Sequence, residues 1–132
     1  MSKLQVEELV DRLIKEAEHI YGRHPLVSKM IDKAFEKVGS MADEYYQIQD
    51  QTLAMIRMLR SWYAREYIGL SRKSVVSLIA TVIYIANPLD LIPDFIPYIG
   101  KLDDRMVIGY MIKQMNVEIQ RFMAWEQEQG LA

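Results

Sequence analysis

Apolar residues recur along this chain at helical spacing, in runs separated by short breaks. Val6, Leu9, Val10, Leu13, Ala17 and Ile20 form the first such stripe. Ser2 precedes it with Gln5 three residues on, which has the form of a capping box, and Gly22 supplies the stop. After the break Gly22-Arg23-His24-Pro25, the residues Leu26, Met30, Ile31, Ala34, Phe35 and Val38 predict a shorter second helix that ends at Gly39. A third, longer helix is expected from Ser40, through Tyr45, Ile48, Thr52, Met55, Ile56, Leu59, Trp62 and Tyr63, because no glycine or proline interrupts it before Gly69.

Ser71 can cap a fourth helix over residues 75–86, VVSLIATVIYIA, which is apolar nearly all round and therefore belongs at the centre of a bundle or against lipid. Its β-branched residues would also suit a buried strand, but no second strand of similar strength is present to pair with it. From Leu102 a last helix carries Ile108, Ile112, Met115, Ile119 and Phe122 on one stripe, to about Glu126. The expected fold is all-α: a single domain, residues 1–132, built as a bundle of about five helices. A proline-rich corner should lie between the last two.

That corner, residues 87–104, reads NPLDLIPDFIPYIGKLDD. Prolines and aspartates at this density normally mark a solvated loop, yet Leu91, Ile92, Phe95 and Ile96 are core residues by type. At its centre is a doubled tetrapeptide, Asp90-Leu91-Ile92-Pro93 and then Asp94-Phe95-Ile96-Pro97. Pro88, Pro93 and Pro97 each lack a backbone N–H and push the residue before them toward extended conformations, so successive tight turns are expected. Asp90 and Asp94 can accept hydrogen bonds from the N–H groups those turns leave over. Gly100 allows a positive φ at the exit, and Asp103 and Asp104 fall where a helix start favours carboxylates. The competing reading gathers Asp90, Asp94, Asp103 and Asp104 as oxygen ligands for a hard divalent cation, with metal-assisted chemistry as its extension. No histidine, lysine or serine constellation beside them names a reaction, so the expectation is a protein without catalytic residues or a cofactor.

On residues 84–104 the chain resembles the YkvA-like family, small and mostly bacterial proteins whose shared segment is a domain of unknown function. The family pattern has a tyrosine ahead of Asn-Pro, the two Asp-x-x-Pro units, a glycine and an Asp-Asp pair, all present here. The resemblance covers about residues 70–110 and leaves residues 1–69 outside. It implies a helical hairpin around the motif and, for many members, membrane association; it brings no activity. Arg105 stands where the family pattern has an apolar residue, which argues against a wholly lipid-facing last helix.

Composition narrows the remaining choices. The chain has 132 residues, 51% hydrophobic and 26% charged, with no cysteine, which excludes a disulfide framework and a thiolate metal site. The acidic residues of the start, MSKLQVEELVDRL, argue against a secretory signal, and the expected location is the cytoplasm, peripheral at the inner membrane face if lipid is bound. The longest uncharged run, residues 74–89, is shorter than a spanning helix requires.

Net charge is −2, with the positive residues concentrated in one place. Arg57, Arg60, Arg65, Arg72 and Lys73 interleave with Trp62, Tyr63 and Tyr67, a composition that suits anionic lipid headgroups or a solvated helix face whose aromatics point inward. A pI near 5.7 argues against nucleic acid as the partner. Among nine methionines, Met106, Met111 and Met115 either fill the core or line an adaptable groove. The expected role is an interaction or scaffold module with a protein partner, and a metal-dependent enzyme or ligand-binding protein is the alternative.

Overall fold

A computed structural model of the chain describes residues 2–39, 46–86 and 104–130. Every regular element among them is a helix: α1 Lys3–Ile20, α2 His24–Gly39, α3 Tyr46–Tyr63, α4 Arg72–Ala86, α5 Asp104–Gln114 and α6 Asn116–Glu128. The all-α fold expected from periodicity is what the chain adopts, with six helices among the described residues where about five were expected.

α1 begins as its sequence dictates. The Gln5 N–H donates to Ser2 Oγ at 3.2 Å and the Ser2 N–H donates to Gln5 Oε1 at 2.8 Å, closing the capping box. Five of its six stripe residues are buried, Val6, Leu9, Val10, Leu13 and Ala17. α2 begins earlier than its apolar stripe, at His24, because Pro25 fits the first turn of a helix where no N–H is required. Val27, outside the stripe read from sequence, is fully buried.

α3 stops at Tyr63, six residues before the glycine that marked its expected end. Arg65 adopts a left-handed conformation, φ 62°, and around it the Glu66 N–H donates to the Ser61 carbonyl while the Arg65 N–H donates to the Trp62 carbonyl. This pair of bonds is a Schellman stop, which usually uses glycine. Gly69 lies in the turn that follows, with φ 99°.

α4 is helix, capped by Ser71, whose Oγ accepts from the Ser74 N–H at 3.1 Å. Residues 75–86 are buried with the exception of Ser77, which is half-buried. α4 packs on α1, α2, α3 and α5, so of the two placements open to an all-apolar helix it takes the centre of the bundle. The buried Thr81 hydroxyl is satisfied, since its Oγ1 donates to the Ser77 carbonyl at 3.0 Å and lies 3.3 Å from Met111 Sδ.

The expected last helix is interrupted at Met115, φ −105° and ψ 11°. There the Met115 N–H is shared between the Met111 and Ile112 carbonyls, and the turn tightens before α6 resumes. The stripe Ile108, Ile112, Met115, Ile119 and Phe122 nevertheless stays buried throughout, so both segments serve one core. α6 rests on α3 and α5.

Candidate functional site

Residues 87–103 lie outside the described residues, and with them Pro88, Asp90, Pro93, Asp94, Pro97, Gly100 and Asp103. Asp104 is the first residue of α5, the helix-start position expected of it. Among the described residues no group of three or more histidine, aspartate or glutamate side chains could hold a metal ion.

The five basic residues divide by what they touch. Arg57 is committed within the protein: its Nε and Nη2 donate to the two carboxylate oxygens of Glu126 at 2.7 and 2.9 Å. The pair is half-sheltered, with Arg57 32% and Glu126 8% exposed, and it joins α3 to α6. Arg60 lies over the Phe35 ring of α2, 4.8 Å from its centroid, and Arg72 lies over Tyr21 at 4.4 Å. Because Tyr21 ends α1 and Arg72 starts α4, the two helices run antiparallel. Arg65 and Lys73 are exposed.

Trp62, Tyr63 and Tyr67 point inward, as one of the two readings of this patch requires. Trp62 packs on Tyr21 and Tyr63, and the Tyr63 hydroxyl donates to the Tyr21 carbonyl at 2.7 Å. Burial, with Tyr21 adding to it, pushes the Tyr63 phenol up to about 12. Tyr67 packs at 5.0 Å against both Phe122 and Trp125, tying the α3–α4 connection to α6. Between Tyr67 and the start of α4, Ile68 is 82% exposed, more than any other large apolar residue among those described.

A groove of about 440 Å³ opens between α1 and α5, with α4 beneath it. Its apolar lining comes from Val10, Ile14, Val76, Met111 and Met115, so two of the methionines line a groove as well as fill the core. Asp11 and Glu18 stand on the α1 side, and Arg72 and Lys73 on the α4 side. Tyr110 and Gln114 form the α5 edge, where burial, then Glu7 and Asp11, raise the Tyr110 phenol. Sequence alone did not single out Asp11, Glu18 or Tyr110. The available signal was the seven-residue spacing of Asp11 and Glu18, which puts both on one side of α1.

Comparison with known proteins bears on α4 and the start of α5. Residues 74–110 match the family model described as "Protein of unknown function (DUF1232)", from the first turn of α4 into α5. A protein of Bacillus subtilis (strain 168), "Uncharacterized membrane protein YkvA", is 35% identical over 69 residues, 52% of this chain. The chain carries the YkvA-like segment of unknown function. It spans 65% of the length of that relative, and α1, α2, α3 and α6 lie wholly outside the family match. No solved structure matches.

Proposed function

We propose that this YkvA-like protein is a helical interaction module that docks peripherally on an anionic membrane surface through the corner between α3 and α4. The observation that carries the reading is Ile68, 82% exposed and flanked in sequence by Arg65 and by the Arg72–Lys73 pair. The corner is held by the Schellman bonds and by Tyr67 packed on α6, so the exposure of Ile68 belongs to a fixed shape.

Two further findings support it. The Bacillus subtilis relative is called a membrane protein, while no described helix here is long and apolar enough to cross a bilayer. α4, the most apolar helix, spends its apolar surface inside the bundle. The corner offers lipid three cations, each worth roughly 1 kcal/mol near an anionic leaflet, and one aliphatic side chain worth about 1–2 kcal/mol on insertion. Binding of that strength is reversible and screened by salt.

Co-sedimentation with vesicles tests it. The protein should pellet with phosphatidylserine-containing vesicles at low salt, stay in the supernatant with phosphatidylcholine alone, and be released as salt rises. Ile68→Ser and Lys73→Glu should each reduce the bound fraction. Protein remaining soluble with anionic vesicles at low salt would exclude the proposal.

A further inference from the structure

We infer that the groove between α1 and α5 is a binding site for a single-chain amphiphile with a zwitterionic head, the chemistry of a lysophospholipid. This goes beyond membrane docking, because a groove can take one such molecule from solution with no bilayer present.

The argument starts with size and lining. A volume of about 440 Å³ falls within the roughly 300–1,000 Å³ of small-ligand pockets. The base is aliphatic and thioether surface, Val10, Ile14, Val76, Met111 and Met115, which recognises hydrocarbon and little else. The hydroxyl of Thr81, also in the lining, is already engaged by the Ser77 carbonyl and Met111 Sδ, so hydrocarbon would leave it no poorer in hydrogen bonds. Met111 and Met115 are unbranched and polarisable, able to adjust to a flexible chain.

The charges then specify the head. Two cations, Arg72 and Lys73, stand on α4 and two carboxylates, Asp11 and Glu18, stand on α1. A purely anionic head would meet the carboxylates and a purely cationic head the arginine and lysine. A head bearing a phosphate and an ammonium group matches both, phosphate toward Arg72 and Lys73, ammonium toward Glu18 and Asp11. The ligand's two ends thus find different partners in the same groove.

Calorimetric titration of the full chain with dodecylphosphocholine, kept below its micelle-forming concentration, tests the site. Saturable one-to-one binding is expected, tighter than for dodecanoate or dodecyltrimethylammonium, which share the chain and differ in the head. Ser77→Phe, which fills the base of the groove, should abolish it; if that variant does not fold, Gln114→Trp on the exposed edge does the same work. Lys73→Glu and Glu18→Lys should each weaken dodecylphosphocholine binding about tenfold, and Glu18→Lys should at the same time strengthen dodecanoate. Ile68→Ser should leave groove binding intact, which separates this site from vesicle docking. Absence of saturable binding, equal affinity for the three heads, or indifference to the groove-filling variants would overturn the inference.

Discussion

Tyr63 shows how much one side chain can be asked to do in a bundle of this size. Its ring meets His24 edge-on at 4.5 Å and Trp62 at 5.0 Å, and its hydroxyl closes the end of α1 through the Tyr21 carbonyl. The phenol, raised to about 12, stays protonated in the folded state well above the pH at which an unfolded tyrosine ionises, about 10. Between those values the unfolded state holds fewer protons than the folded one, so stability is complete below about pH 10 and falls as pH rises toward 12. Tyr67 and Tyr110, raised mainly by burial, act in the same direction. Thermal melts across this range should therefore show a downward slope, and Tyr63→Phe should make it shallower. An unchanged slope in the variant would mean that the phenol is not protected as described. Arg65 makes the complementary point about sequence reading. Its left-handed backbone ends α3, a role normally signalled by glycine, so the visible glycine at position 69 pointed six residues too far.

At the scale of elements, α6 is held to α3 by the Arg57–Glu126 pair and to the α3–α4 connection by the Tyr67, Phe122 and Trp125 rings. Arg57→Met leaves the buried carboxylate of Glu126 without its cation and should cost about 2–4 kcal/mol in chemical denaturation. The double change Arg57→Met with Glu126→Met should recover most of that loss, because two apolar side chains of similar size fit where the pair was. If the single and double variants lose equal stability, the pair is not what holds α6. Hydrogen exchange should locate the effect in residues 116–128. This tie was not readable from sequence: Arg57 and Glu126 are 69 positions apart, and arginine among aromatics suggests a surface as readily as a partner. The break at Met115 was equally silent, since no proline or glycine marks it, whereas the capping boundaries at Ser2 and Ser71 were explicit because their hydrogen bonds are local.

At the scale of the molecule, the arrangement is one helix wrapped by its neighbours. α4 contacts α1, α2, α3 and α5, and the leucine, isoleucine, valine and alanine that could have faced lipid instead form the middle of the core. Ile79→Ala should accordingly cost about 2–5 kcal/mol in water, and Val117→Ala, at an exposed position of α6, less than about 0.5 kcal/mol. Urea titration of the two variants would check the contrast, and equal small effects would contradict a central α4. The helical class and the central helix were legible because periodicity and hydrophobicity are carried by consecutive residues. The groove was legible only in its parts: Met111 and Met115 were visible as candidates, but that α1 would bring Asp11 and Glu18 opposite Arg72 and Lys73 depends on how three helices pack.

The two tryptophans of the chain fall on different helices and in different ring clusters, Trp62 with Tyr21 and Tyr63, Trp125 with Tyr67 and Phe122. Each is thereby a native optical reporter for one half of the assembly. In a Trp62→Phe background the remaining emission follows the seating of α6 alone, and in a Trp125→Phe background it follows the junction of α1, α2 and α3. The protein comes with its own means of telling whether its carboxy-terminal helix lets go before the rest.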